Sequence, residues 1–290
     1  MENMGNERRS MLMFIVSMLI FGTIGIFRRY IPLPSGSIAM VRGLLGGLFL
    51  TVFVKLKGEK GGERLSPAQI FLLALTGAVM GFNWILLFEA YNYTTVAVAT
   101  LCYYMEPTIV LLLTPILFRE RLTGKKILCA VIAVIGMVLV SGVVGSGGTQ
   151  AGNLKGVAFG LGAALFYSFV VIMNKTLSGI NAWKKTIIQL VSAGAVMIPY
   201  LFLTRGFGGV TFSGMTVLLL LIVGIVHTGF AYALYFGSMD GLKAQTIAIF
   251  SYIDPVSALL FSAVILREPL SPAGLAGAVM IIGSAIFSEL

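Results

Sequence analysis

Apolar runs long enough to cross a bilayer recur along the whole chain, each closed by a short polar stretch. A membrane-spanning helix needs roughly 17–25 predominantly apolar residues. On that criterion the pattern predicts ten helices, near residues 11–30, 36–56, 68–88, 94–117, 125–144, 154–177, 182–204, 214–236, 244–265 and 272–288. The breaks have physical causes. Pro32 and Pro34, with Ser35 and Gly36, separate the first two spans, and residues 57–67 are polar and glycine-rich. The expected fold is an all-α polytopic membrane protein. Its loops are short, so neighbouring spans run antiparallel.

One stretch occurs twice. Residues 81–123 align without a gap on residues 229–271, at an offset of 148. Gly81-Phe82 recurs as Gly229-Phe230, Trp84 answers Tyr232, and Arg119-Glu120 answers Arg267-Glu268. Tyr104-x-Glu106-Pro107 answers Tyr252-x-Asp254-Pro255. Apolar composition repeats leucine by chance, but it does not repeat these polar residues in register. The pattern is that of an internal duplication. The expected organisation is a first repeat at 1–144, a Gly/Ser linker at 145–153 and a second repeat at 154–290.

Composition sharpens the class. The chain has 290 residues, 58% hydrophobic and only 11% charged, against about a quarter charged in soluble domains. The lipid bilayer is therefore the first expected partner. The net charge of +9 does not point to nucleic acid, because the basic residues sit in short loops. With the N-terminus inside, the inner loops carry 14 of the 20 Lys and Arg. That bias places both termini in the cytoplasm, with the chain in the cytoplasmic membrane. Met11 to Phe27 follows Arg8 and Arg9 but lacks a small-residue cleavage site, so it reads as a retained helix. Five spans per half is an odd number, so the two halves enter the membrane with opposite orientation. Inverted repeats of this kind build many secondary transporters.

Candidate chemistry follows from polar groups inside apolar spans. Glu106 and Asp254 each lie near the middle of a span and directly precede a proline. A carboxyl at bilayer depth is costly and marks a substrate or proton path more often than not. Pro107 and Pro255 remove a backbone donor and free a carbonyl, which only a protein interior or a wet cavity tolerates. By helix geometry Asp254 shares a face with Phe250, Ser251, Ser257 and Phe261, an aromatic and hydroxyl-bearing face suited to a small molecule. Glu106 faces the side of Cys102, and Tyr104 the side of Thr100 and Thr108, so the fourth span is polar on two faces. Trp84, Tyr103, Tyr104, Tyr167, Tyr232, Tyr235 and Tyr252 form an aromatic set that can pack or attract a cation. Arg42 can snorkel outward, hold an anionic group or pair with Glu106. His227 and Asn83 complete the polar candidates, each with a plain reading as a hydrogen-bonded core residue. Cys102 and Cys129 have no Cys or His partner at ligand spacing, so neither a disulfide nor a metal site is expected. No Gly-x-Ser-x-Gly motif or phosphate cradle appears, and no catalytic residue or cofactor is expected.

At these residues the chain resembles the EamA family of the drug/metabolite transporter superfamily. The similarity rests on ten spans in two halves, on Pro107 and Pro255, and on the Arg119-Glu120-Arg121-Leu122-Thr123 and Arg267-Glu268-Pro269-Leu270-Ser271 endings. It rests also on Gly136 and Gly283 in the fifth and tenth spans, and on Arg42 in the second. The resemblance implies a cavity between the halves, peripheral fifth and tenth spans, and a substrate among amino acids, sugars, amines or nucleotide derivatives. Gln189 stands where the second half would repeat Arg42, which implies unequal halves. The expected function is alternating-access transport of a small polar metabolite, such as an amino acid or amine, with protons as a candidate coupling partner. The expected state is a monomer or weak homo-oligomer. A membrane scaffold or receptor, or a facilitative channel, is the alternative.

Overall fold

The computed structural model describes residues 2–58, 64–118, 123–140, 151–177, 179–204, 206, 213–239, 242, 244–268 and 270–289. Among these every regular element is helical. In chain order they are α1 (Glu2–Gly22), α2 (Ile24–Arg29), α3 (Ser35–Leu56), α4 (Pro67–Tyr93), α5 (Val96–Tyr103), α6 (Glu106–Phe118) and α7 (Gly124–Val140). Then come α8 (Ala151–Thr176), α9 (Ala182–Leu203) and α10 (Gly214–Leu221), a π-helical stretch (Ile222–Phe230), and α11 (Ala231–Met239). The last three are α12 (Ala244–Ser251), α13 (Ile253–Ile265) and α14 (Pro272–Glu289). Among the described residues seven stretches are long and apolar enough to cross a membrane, and Ile253–Ile265 and Pro272–Phe287 are shorter apolar helices. The chain is a multi-pass membrane protein. The basic loop residues Lys60, Arg119, Arg121, Arg205 and Lys243, and positions 145–150 of the expected linker, lie outside the described residues.

Local chemistry starts the helices. Pro67 takes the first turn of α4, where its missing N–H costs nothing, and Ser66 and Gln69 close a reciprocal capping box. Thr95, Asn181 and Ser213 cap α5, α9 and α10 by accepting from the backbone N–H three residues on. The fourth and ninth predicted spans are each split. Pro107 cannot donate to Tyr103 and Pro255 cannot donate to Ser251, so the α-helical ladder stops at Tyr104–Met105 and at Tyr252. The third span runs on to Tyr93 and not to residue 88, which brings Glu89 inside the helix.

The helices form one interlocked bundle. α3 packs along α9 and against the π-helical stretch, and α9 packs in turn on α4. α1 packs on α11 and α13, while α8 packs on α4, α5 and α6. α5 meets α13, and α7 meets α14. Small residues permit the closest crossings, as expected where lipid offers no hydrophobic driving force between helices. A Cβ on Gly43 of α3 would lie 2.6 Å from the Gly194 nitrogen of α9. A Cβ on Gly136 of α7 would lie 2.8 Å from the Gly277 carbonyl of α14. Gly277 therefore fills the role that sequence matching gives to Gly283, around which a Cβ would meet nothing within 4 Å.

This contrast is testable. Gly43→Ala pushes a methyl into rigid backbone, which should lower stability by about 1–3 kcal/mol. Gly283→Ala should be neutral or slightly stabilising, because alanine is the better helix former by about 0.5–1 kcal/mol. Melting of the purified variants in detergent reads the difference. Equal melting temperatures would mean that the α3–α9 crossing tolerates a side chain.

Candidate functional site: a carboxyl–tyrosine cluster and a cation on tryptophan

The two helix breaks of the duplicated stretch meet. Tyr104, at the end of α5, donates its hydroxyl to Asp254 Oδ2 at 2.6 Å. Asp254 lies in the first turn of α13, just past the other break. Each proline interrupts its helix where side chains must turn inward, so the breaks place a phenol and a carboxyl face to face. Around this bond the rings form a chain. Tyr104 lies against Tyr103 at 6.0 Å and Tyr252 at 6.5 Å between centroids, and Tyr103 lies against Tyr167 at 5.4 Å. Glu106 is within electrostatic range of Tyr103 and Tyr167, from the start of α6.

Arg42 is buried within electrostatic range of Asp254. It is only 7% exposed, so it does not snorkel. Its Nε donates to Thr228 Oγ1 at 2.9 Å, and its guanidinium lies over the Trp84 ring, 4.2 Å from the centroid. Its charge is felt by Asp254, Tyr103 and Tyr232. A buried cation on an aromatic face gains about 2 kcal/mol once desolvated. That gain offsets only part of the cost of removing the charge from water. Arg42 and Asp254 lie within electrostatic range of each other, with the phenols of Tyr103 and Tyr232 close to the guanidinium, so the cluster joins a cation, a carboxyl and phenols within the bundle.

The π-helical stretch positions the Arg42 partner. Thr228 and His227 each reach back five residues, Thr228 Oγ1 to the Val223 carbonyl at 3.0 Å and His227 Nδ1 to the Ile222 carbonyl at 3.4 Å. Such widened turns frequently occur at functional sites. His227 Nε2 pairs with Thr23 Oγ1 at 2.8 Å, at the break between α1 and α2, and its ring meets Phe27 edge-on. It is a bonded core residue that ties α1 to the eighth predicted span.

Other predicted residues are not drawn into the cluster. Ser251 donates to the Ile247 carbonyl and Ser257 to the Asp254 carbonyl, so neither hydroxyl serves the Asp254 carboxylate. The shared face requires a continuous helix, and the break at Tyr252 removes it. Asn83 is fully buried between α4 and α8, donating to the Ala163 carbonyl at 2.6 Å. Tyr232, by contrast, borders the cluster: it packs against Phe21 and Phe236 and lies within electrostatic range of Arg42 and Asp254. Gln189, at the counterpart of Arg42, donates to Asn174 Oδ1.

The Arg267-Glu268 ending ties helix ends together. Glu268 accepts from Arg29 at 2.8 Å, from the Val96 N–H at 3.0 Å and from Ser262 at 3.1 Å, joining the ends of α2, α5 and α13. Its counterpart, Arg119-Glu120, lies outside the described residues. Two polar side chains escape a reading of the sequence. Thr228 gives no signal there, because only the crossing of α3 over the π-helical stretch brings it to Arg42. Glu89 is overlooked when the third span is ended a turn early. Its signal is present all the same, since it is the one acid in a 27-residue apolar helix.

A sizeable cavity lies elsewhere. It holds about 680 Å³ and lies between the ends of α3, α4, α8 and α9, with Glu89, Phe82, Phe159, Phe166 and Tyr200 in its wall. Asp254, Tyr104 and Arg42 do not line it.

Comparison with known proteins places this arrangement. A crystal structure of another protein matches with a TM-score of 0.67 at 17% identity over 96% of each chain, a likeness of fold. The chain is 30% identical over 256 residues to the uncharacterized transporter YxxF of Bacillus subtilis, covering 88% of this chain and 81% of that protein. It is 25% identical over 262 residues to the protein RarD of Salmonella typhi, covering 88% and 85%. It is 24% identical over 306 residues to the uncharacterized inner membrane transporter YicL of Salmonella typhimurium, covering 99% and 97%. The sequence pattern of the EamA-like transporter family matches residues 8–142 and again residues 154–289. With an all-helical multi-pass fold and both halves matched, the chain belongs to the EamA-like transporter family.

Proposed function

We propose that this transporter works by alternating access between two inverted five-helix halves. Its substrate is a small polar metabolite, an amino acid or amine, and its setting is the cytoplasmic membrane with both termini inside. The observation that carries the reading is the Tyr104–Asp254 bond, which joins the helix breaks of the two halves beside a buried arginine. Helix breaks at a repeat interface are where such transporters place substrate and coupling ions.

Three features support the repeat. The family pattern matches twice. The helix contacts survive exchange of the halves: α8 on α4 and α6 mirrors α1 on α11 and α13, and α4 on α9 mirrors the π-helical stretch on α3. The basic-loop bias gives the halves opposite orientation. Asp254 is the central carboxyl in this reading, carrying a proton or the ammonium of the substrate. Arg42 faces the opposite charge.

The test begins with ligand discovery. Purified protein is screened by thermal shift against amino acids and amines, since a ligand bound only by the folded state at a hundred times its Kd stabilises by about 2.7 kcal/mol. The hit is then radiolabelled and followed into proteoliposomes. Saturable uptake, faster on one sign of proton gradient, is expected. A pore-like flux that never saturates would favour the channel, and binding without flux would favour a receptor.

A further inference from the structure

We propose that the cavity at Glu89 is a second binding site, separate from the Asp254 cluster, for a monovalent organic ammonium with an aromatic or apolar body. The size is right: about 680 Å³ falls within the roughly 300–1,000 Å³ typical of small-molecule sites. So is the wall, which is mostly apolar with few polar groups. Phe82, Phe159, Phe166 and Tyr200 supply four rings, with Phe82 and Tyr200 edge-to-face at 5.8 Å. Among the described lining residues Glu89 is the one charged group.

Glu89 is prepared to receive a cation. Its Oε1 accepts from Ser35 Oγ at 2.6 Å and its Oε2 from Asn92 at 3.3 Å. These bonds fix the carboxylate and leave further acceptor capacity on both oxygens. Among the described residues no Lys or Arg reaches ion-pair distance of Glu89. Arg28 stands behind Ser35, bonded to Ser35 Oγ and to the Ile31 carbonyl, and does not line the cavity. It tempers the negative charge without occupying it. Rings at this end already attract a cation, since Lys155 lies 4.0 Å from the Tyr93 centroid and 5.9 Å from that of Phe159. A carboxylate in a cavity lined by four aromatic rings favours an ammonium on an apolar body over an anion or a sugar. Such an ammonium can be a free amine or the headgroup of phosphatidylethanolamine.

The probe is phenethylammonium, with neutral phenethyl alcohol as its control, titrated calorimetrically into the full-length protein in detergent. The expected result is a binding component that survives Asp254→Asn and is weakened about tenfold to hundredfold by Glu89→Gln, the effect of one charge-assisted bond. Glu89→Asp should retain more affinity than Glu89→Gln, and the alcohol should bind parent and Glu89→Gln alike. Circular dichroism melting confirms that each variant is folded. In nanodiscs, loss of probe binding with phosphatidylethanolamine but not phosphatidylcholine assigns the site to the headgroup. Equal binding assigns it to a free amine, and either outcome upholds the site. It is overturned if Glu89→Gln binds the probe like the parent, or if Asp254→Asn alone abolishes binding. The result is independent of the flux assays, so this site and the transport reading fail separately.

Discussion

Asp254→Asn is expected to insert, fold and bind Tyr104 much as the parent does, yet to lose all accumulation of substrate against its gradient. Asparagine keeps the acceptor for the Tyr104 hydroxyl, which in the parent sits 2.6 Å from Oδ2. Exchanging a charged for a neutral acceptor costs about 1 kcal/mol, and relief of a buried charge offsets part of it. Melting should therefore shift little. Accumulation should not survive, because the group can no longer change charge. Counterflow separates the two roles. If Asp254 couples to protons, exchange without a gradient persists while accumulation falls to the level of empty liposomes. If it holds the ammonium of the substrate, both are lost. A variant that accumulates like the parent would make Asp254 a packing residue and remove the basis of the proposed mechanism.

Arg42→Met should separate stability from function in the opposite way. The change removes a charge-assisted bond to Thr228 and the contact 4.2 Å over Trp84. It also removes the need to hold a cation that is only 7% exposed. The lost interactions are worth about 1.5–3 kcal/mol for the bond and about 2 for the ring contact. The relieved desolvation is of similar size, and replacing buried ions by apolar groups is often neutral or better. The expected result is a melting temperature within a few degrees of the parent's and transport at background. Arg42→Lys should not rescue transport, because an ammonium lacks the guanidinium Nε–H that bonds Thr228 while the group sits over tryptophan. If Arg42 and Asp254 grip one ligand, the effects of Arg42→Met and Asp254→Asn on its affinity will not add. Additive losses would place the two residues on separate sites. Arg42→Met with full transport would leave Arg42 as a packing cation only.

Much of the architecture is legible in the amino-acid sequence. Long apolar runs, the register of Tyr104-x-Glu106-Pro107 against Tyr252-x-Asp254-Pro255, and the dearth of charge determine a duplicated, membrane-embedded helical protein. They depend only on local hydropathy and on covalent facts, such as the N–H that proline lacks. The same facts locate the two helix breaks to within a residue or two.

What the chain alone leaves open depends on which side chains meet across helices. Tyr104 has two faces to choose between, and only the docking of α5 on α13 sends its hydroxyl to Asp254. Ser251 and Ser257 follow the phase of an unbroken helix that does not exist, so they return to their own backbone. Arg42 has room to snorkel on hydropathy alone. The crossing of α3 over the π-helical stretch, with α4 behind it, buries the guanidinium between Thr228 and Trp84 instead. Glu89 is an ordinary acid near a helix end until α3, α8 and α9 enclose it. Hydropathy and periodicity are properties of neighbours in sequence, whereas these contacts join residues up to 186 positions apart. They are set by the close approach of small residues such as Gly43 and Gly194, whose partners no single helix reveals.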